Sequence, residues 1–240
     1  MASTFYSPGE ERSARVGDLF AAVARRYDLI NDLQSLGLHR LWKQRLVRMA
    51  RPKPGERALD LCCGTGDLAF ALAGRGAEVI GLDFSEPMLR VATKKRLARG
   101  AKSGVTFLLG DAQEIPFPGN SFDVVTVGYG LRNLKDWETG LREMMRVTKP
   151  GGRLLVLDFG KPDNALWRGI YFGYLKLFVP LLGLVVCGNA AAYSYILESL
   201  KHYPAQRGVA EGLTRLGLQN TRIINLLGGV MSIHYAEKAG

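Results

Sequence analysis

From residue 57 to residue 158 the chain alternates short runs of β-formers with stretches of helical length, and this alternation restricts the fold more than any other feature. RALDLCC (57–63), AEVIGLD (77–83), VTFLLG (105–110), FDVVTVGYG (122–130) and RLLVLDFG (153–160) read as strands. Several are near-continuous apolar runs, as strands buried on both faces require. DLAFALAGRG, SEPMLRVATKKRLARG and DWETGLREMMRVTKPGG separate them as helices, whereas the remaining gap is a polar loop without helical pattern. Strands alternating with helices imply parallel pairing through crossovers, so the expected fold is α/β, a doubly wound Rossmann-like sheet. A ligand should then lie at the carboxyl ends of the strands.

Local chemistry marks several boundaries. Gly64 and Gly66 allow a tight turn after the first strand, Ser85 is placed to cap the helix that Pro87 begins, and Lys149-Pro150-Gly151-Gly152 is placed to stop the last of these helices. Residues 12–50 are predicted helical, with Val16, Leu19, Phe20 and Val23 at helical spacing. TRIINLL and GGVMSIHYAEK read as a closing antiparallel pair around a Gly-Gly turn. Residues 177–197 form a run of 21 residues without a charge, long enough for a bilayer span. Pro180, Gly183, Gly188 and Asn189 interrupt it, so the expectation is an interfacial cap or a buried helix pair. The chain therefore divides into a helical lid (1–50), a ligand-binding core (51–160), an apolar cap (161–205) and a closing helix with strand pair (206–240), together one domain.

Composition narrows the class. With 47% hydrophobic and 22% charged residues, disorder, collagen and coiled coil are excluded for the whole chain. Three cysteines, Cys62, Cys63 and Cys187, make neither a disulfide framework nor a zinc site, and no metal is expected. The first residues, MASTFYSPGEERSAR, lack a secretory apolar segment, which favours the cytoplasm. A net charge of +10 favours an anionic neighbour. The basic runs lack the interleaved aromatics of a nucleic-acid reader, so the neighbour expected is a membrane surface and not a nucleic acid.

The loop LDLCCGTGDLA holds Gly64-x-Gly66-x-x-Ala69, and Asp83 follows Gly64 by 19 residues. This spacing fits a dinucleotide fingerprint, which makes an NAD-dependent oxidoreductase one reading. Charge favours another. A pyrophosphate seeks a bare helix N-terminus, yet Asp67 stands in the first turn and Asp60 just before the loop. Two carboxylates suit a cationic ligand, and S-adenosylmethionine carries an ammonium and a sulfonium. Asp83 would then accept from the ribose hydroxyls, and Asp111-Ala112, after the third strand, would meet the adenine.

Longer stretches carry more information. Tyr27-Asp28, Asn31, Ser35, His39 and Trp42 form one spaced signature, and Arg146 to Phe159, RVTKPGGRLLVLDF, forms a second. Between them stand LDLCCGTGD, GLDFSEPML, GDAQEIPFP and GYGLRN. With these features the chain resembles the ubiquinone/menaquinone biosynthesis C-methyltransferases, over about residues 15–238. Ile30, Gln34, Thr148 and Gly128 depart from the family's usual residues. The resemblance implies a class I S-adenosylmethionine-dependent methyltransferase fold with a C-terminal antiparallel hairpin. It also implies a prenylated quinol as substrate, demethylmenaquinol foremost, and is compatible with a homodimer. The implied donor contacts are Asp60, Gly64, Thr65, Gly66, Asp83, Asp111, Ala112 and Gly128. For chemistry, Arg132 is expected to stabilise a phenolate, Asn133 to orient a water or quinol oxygen, His39 to act as general base, and Tyr27 to close over the donor. The tail of the quinol is expected along LFVPLLGLVV, with Leu182 and Val185 in the groove.

Overall fold

The computed structural model describes residues 10–24, 26–100, 104–188 and 191–240, with the side chains of 10–16, 187 and 191–194 outside the description. Lys102, Asn189 and the side chains of Val16, Cys187 and Tyr193 therefore lie outside the description. The N-terminal region forms α1 (Glu10–Val23), α2 (Tyr27–Ser35) and α3 (Leu38–Ala50). The core follows as β1 (Arg57–Leu61), α4 (Asp67–Ala73), β2 (Glu78–Asp83), α5 (Glu86–Ala98), β3 (Val105–Leu109), β4 (Phe122–Gly128), α6 (Trp137–Val147) and β5 (Thr148–Phe159). α7 (Ala165–Cys187), α8 (Ala191–His202), α9 (Ala205–Arg215), β6 (Gln219–Leu226) and β7 (Met231–Glu237) complete it.

The seven strands form one sheet in the order β3-β2-β1-β4-β5-β7-β6. β1 to β5 are parallel, and β7 enters antiparallel beside β5, with Asp158 opposite Ser232. The order reverses between β1 and β4, which opens a crevice at their carboxyl ends. Central strands are buried on both faces, with Leu59, Val125 and Leu155 at 0% exposure, so their continuous apolar runs follow from position. α6 buries Gly140, Leu141, Met144 and Val147, one stripe at helical spacing, and Asp136 caps it by accepting the Glu138 N–H at 2.9 Å. No helix intervenes between β3 and β4, as the polar loop predicted.

Four local expectations need correction. β1 and β4 end two residues before the apolar pattern does, because Cys62 (φ 51°) and Tyr129 (φ 63°) adopt left-handed backbone and turn the chain out of the sheet. Lys149-Pro150-Gly151-Gly152 does not separate α6 from β5; it is a detour within β5, which pairs with β4 at Thr148 and again from Arg153. Gly151 and Gly152 instead exchange backbone hydrogen bonds with Lys238 beyond β7. Ser85 occupies the N-cap of α5 but its hydroxyl makes no cap; its own N–H is held by Asp83 at 2.8 Å. Pro180 and Gly183 do not interrupt α7, which runs 23 residues and ends at Gly188 (φ 69°). The carbonyl that Pro180 deprives of a partner belongs to exposed Lys176, where water can serve it.

Candidate active site

The loop between β1 and α4 is built by backbone demands. Gly66 has φ 86°, and a Cβ there would sit 2.6 Å from the Phe107 ring, so only glycine fits. Gly64, also left-handed, donates its N–H to Asp83 Oδ2 at 2.8 Å. Asp83 thus ties the glycine loop to the start of α5 while 6% exposed, and burial raises its pKa. Gly110 donates to the Asp83 carbonyl at 3.0 Å, which brings the Asp111-Ala112 turn beside it. Asp111 is exposed and accepts from the Gln113 N–H, while Ala112 is buried.

Asp60 is the most telling group at these strand ends. It is 1% exposed, and Oδ1 accepts from Thr126 Oγ1 at 2.9 Å. Oδ2 is buried and has no hydrogen-bond partner among the described residues. Burial, partly offset by Thr126 and Lys43, pushes its pKa up to about 7. A buried orphan acceptor of this kind calls for a donor from outside the chain. Asp60 faces a cleft of about 30 Å³ with Gly64, Thr65 and Gly128, roofed by Tyr27 and Lys43.

Asp67 does not act as the charge argument expected. Its carboxylate pairs with Lys43 and Lys95, each at 3.0 Å, and although burial opposes ionisation the lysines bring its pKa down to about 2. Lys95 also pairs with Asp28, which accepts from Thr65 Oγ1 at 2.6 Å. This network pins α2 and α3 over the glycine loop. At about 30 Å³ the cleft itself is too small to hold a whole nucleoside.

On the other side of Tyr27 and Tyr129 lies an apolar cavity of about 430 Å³, walled by α1, α2, α7 and α8, with Trp42, Phe159 and Trp167 among its aromatic lining. Arg132 enters it from the turn after β4. Its guanidinium lies 2.8 Å from Asp158 and 4.4 Å from the Phe159 ring centre, and its backbone N–H donates to the same carboxylate at 3.0 Å. His39 also lines the cavity, 4% exposed, with Nε2 at 2.8 Å from Asp32 and Nδ1 buried without a partner. Burial lowers its pKa despite Asp32, so the ring is neutral near pH 7. Arg40 holds Asp32 in turn at 2.6 Å. Tyr27 and Tyr129 line both the cleft and the cavity. Burial raises the pKa of Tyr27 to about 12, and the Tyr129 hydroxyl is buried without a partner.

A polar crevice at the sheet's switch point, meeting an apolar chamber at two tyrosines, suits transfer between a polar donor and an apolar acceptor. The profile of the ubiE/COQ5 methyltransferase family matches residues 9–238. The chain belongs to that family. It is 40% identical over 234 residues to the ubiquinone/menaquinone biosynthesis C-methyltransferase UbiE of Azotobacter vinelandii, spanning 96% of this chain and 92% of the relative. It is 42% identical over 233 residues to the demethylmenaquinone methyltransferase of Desulfitobacterium hafniense, with coverage of 96% and 92%. Among solved structures, a SAM-dependent methyltransferase from Aquifex aeolicus matches with a TM-score of 0.60 at 20% identity, covering 81% of this chain and 88% of that one. Phosphoethanolamine N-methyltransferase 2 of Haemonchus contortus, solved with S-adenosyl-L-methionine, also matches at TM-score 0.60 and 20% identity, over 83% and 52% of the two chains. These likenesses make the fold that of a class I methyltransferase, and nothing in them supports an oxidoreductase.

In this methyltransferase the residues expected from the sequence fall into three groups. Asp60, Gly64, Thr65 and Gly128 share the cleft, with Gly66 beneath it and Asp83, Asp111 and Ala112 along the adjoining strand ends. Tyr27, His39 and Arg132 line the apolar cavity. Asn133 lines neither; its amide donates to the Tyr129 carbonyl at 3.2 Å and accepts from the Tyr195 hydroxyl at 3.1 Å, so it shapes the turn. Leu182 and Val185 do not line the cavity, whose wall on α7 runs from Trp167 to Val179, and Val185 is 75% exposed. Sequence reasoning missed Asp32 and Lys43 and gave Asp158 no role of its own, whereas Tyr129, read from the sequence as wall or core, lines both spaces. Asp158 stands inside the second signature, and Lys43 follows Trp42 of the first, so both lay next to a legible signal.

Proposed function

We infer that this methyltransferase moves a methyl group from S-adenosylmethionine to a ring carbon of a prenylated quinol, with demethylmenaquinol preferred over a benzoquinol. The observation that carries this reading is the shared pair Tyr27 and Tyr129, where the polar cleft and the apolar cavity touch. The residues present fit the donor: Asp60 offers an unpartnered buried carboxylate oxygen to its ammonium, Asp83 a second carboxylate to the ribose, and the Asp111-Ala112 turn a place for adenine. When bound, S-adenosylmethionine supplies a methyl group made electrophilic by positively charged sulfur. The quinol loses a hydroxyl proton, its ortho carbon bonds the methyl carbon as the methyl–sulfur bond breaks and its electron pair stays with sulfur, so that S-adenosylhomocysteine leaves, and the proton on that ring carbon then departs to restore aromaticity.

Arg132 sits where a phenolate would develop, and its charge is kept by Asp158. His39 is the proton acceptor: hydrogen-bonding through Nε2 to Asp32 assigns the ring proton there and leaves Nδ1 to accept. Tyr27 and Tyr129 separate the two compartments and exclude water from the transfer. The apolar, aromatic walls favour a fused bicyclic ring, and the Desulfitobacterium relative bears the corresponding name. Because the substrate is a lipid and the net charge is +10, the enzyme works on the cytoplasmic side of an anionic membrane surface.

The deciding experiment is incubation with isotopically labelled S-adenosylmethionine and a mixture of demethylmenaquinol and demethylated benzoquinol, read by mass spectrometry of the extracted lipids. Label on the naphthoquinol ring carbon is expected first. Label on the benzoquinol alone would overturn the preference, and no labelled quinol would overturn the reading. A narrower test concerns Asp83. Asp83→Ala should weaken donor binding tenfold or more by calorimetry, since it removes both the ribose acceptor and the anchor of Gly64. Unchanged affinity in a folded variant would take Asp83 out of the donor site.

A further inference from the structure

α7 is two-faced in an unusual way. One face packs inward, with Tyr171, Leu175 and Val179 at 5%, 2% and 1% exposure, and forms the cavity wall. The opposite face carries Leu166, Leu177, Leu181, Leu184 and Val185, each more than half exposed. Their spacing, with Ile170, makes a single stripe along about 30 Å of helix at 1.5 Å per residue. Soluble surfaces scatter single apolar residues; a contiguous stripe marks an interaction site.

The stripe is continuous with the cavity mouth. Leu36, Ile170, Phe178 and Leu227 line the cavity and are nevertheless 48–88% exposed, so the rim is made of large apolar side chains. A mouth meant to admit a ligand from water has no use for such a rim. α2 lies alongside, joined to α7 by the Tyr174 hydroxyl donating to the Gln34 carbonyl, and adds exposed Leu29 and Leu33. Lys176, exposed on α7 itself, stands next to Leu177 of the stripe, and the chain as a whole carries a net charge of +10. Among the described residues α7 is one helix long and apolar enough to cross a membrane. Its inner face, however, is committed to the protein core, and crossing would strip that packing away.

We propose that the outer stripe of α7, with Leu36 and Leu227 at the cavity rim, is a lipid-docking surface that lies in the plane of an anionic leaflet and opens the cavity directly into the acyl region. This rests on the quinol reading of the cavity. The prenyl tail then never leaves the lipid phase: the ring passes Phe178 and Ile170 to reach Arg132, and the tail trails behind it into the leaflet. Apolar burial of the stripe supplies a salt-resistant part of the binding, and Lys176 with the chain's net positive charge a screened part.

The test uses full-length protein and vesicles free of quinone, either phosphatidylcholine alone or equimolar phosphatidylcholine and phosphatidylglycerol. Wild type should float with the anionic vesicles, release in part at high salt and release fully in carbonate. Leu181→Asp with Leu184→Asp, neither in the cavity, should lower vesicle partition tenfold or more. The same variant should keep its donor affinity and its turnover on a tail-less ring analogue, while turnover on vesicle-embedded long-chain quinol falls tenfold or more. Absence of turnover on the tail-less analogue in wild type would fault the quinol reading and leave docking standing. A milder variant, Leu181→Trp, should lose more fluorescence to brominated acyl chains than wild type does. Undiminished flotation of the double Asp variant, or no added quenching in Leu181→Trp, would overturn the proposal. So would resistance to carbonate, which would make α7 a span, or a wild-type dimer that the Asp variant abolishes, which would make the stripe a contact between copies.

Discussion

Asp60→Asn is expected to weaken donor binding by on the order of a hundredfold, about 2–3 kcal/mol, while making the donor-free protein more stable at pH 8. Both effects come from one buried oxygen. Oδ2 has no partner, so the ionised carboxylate sits in the cleft at a desolvation cost that a ligand ammonium would offset. The sign of the stability change follows from linkage. Burial raises the folded pKa from 3.8 to about 7, so the folded state binds this proton more tightly than the unfolded state. The contribution is therefore fully present below pH 4 and lost as pH rises through 7. A neutral amide has no such dependence, and the advantage of the variant should grow between pH 5 and pH 8 to at most a few kcal/mol. Donor affinity of the wild type should run the other way, falling as Asp60 takes its proton below pH 7. Urea unfolding and calorimetry at both pH values check this; a variant whose pH dependence matches wild type would remove Asp60 from the donor site.

The second large effect concerns Arg132 and its partner. Arg132→Lys should lower turnover a hundredfold or more with donor affinity nearly intact, because lysine keeps the charge but not the planar fork. Nη1 alone reaches Asp158 at 2.8 Å and the Tyr129 carbonyl at 2.6 Å, and an ammonium seated on the same two acceptors would lack the second terminal nitrogen that the guanidinium carries in a fixed plane. Asp158→Ala goes further. Asp158 is 0% exposed and accepts from the Arg132 N–H, the Arg132 guanidinium and the Phe159 N–H. Its removal strands a buried cation, which should cost about 3–5 kcal/mol of stability. Parallel turnover, donor binding and urea unfolding separate the two variants. Should Arg132→Lys lose donor affinity but keep turnover at saturation, Arg132 would belong to donor binding and the phenolate role would fall.

How far the site was legible depends on how local its signals are. The glycine loop was readable because Gly64 and Gly66 answer a backbone demand within a few residues, and Asp83 because it ends the next strand in a parallel sheet. His39 was reached through the first spaced signature and Arg132 through the short run GYGLRN after β4, and both line the apolar cavity. The errors share a cause. Ser85 has the right chemistry for a cap, yet Pro87 two residues on has no N–H to offer its hydroxyl, and the Asp83 carboxylate instead fixes the entry to α5 by accepting the N–H of Ser85 itself. Pro180 has the right chemistry for a break, yet α7 packs against the core along Tyr171, Leu175 and Val179, and that packing outweighs one lost hydrogen bond at an exposed carbonyl.

Apolar periodicity, turn residues and the spaced signatures together determined the doubly wound sheet, the position of the donor loop and the family, because each acts over a few residues or one strand-helix unit. Only the tertiary structure decided what the charges do. Asp67 looked like a partner for a cationic ligand until α3 and α5 brought Lys43 and Lys95 to it from 24 and 28 residues away. Arg132 acquired its fixed orientation from Asp158, 26 residues on. The apolar run of α7 carried no mark of which side would face the cavity and which the outside; docking against α2 and α8 chose that. The field at a carboxylate and the exposure of a helix face are set by neighbours remote in the chain, and those neighbours arrive only when the elements pack.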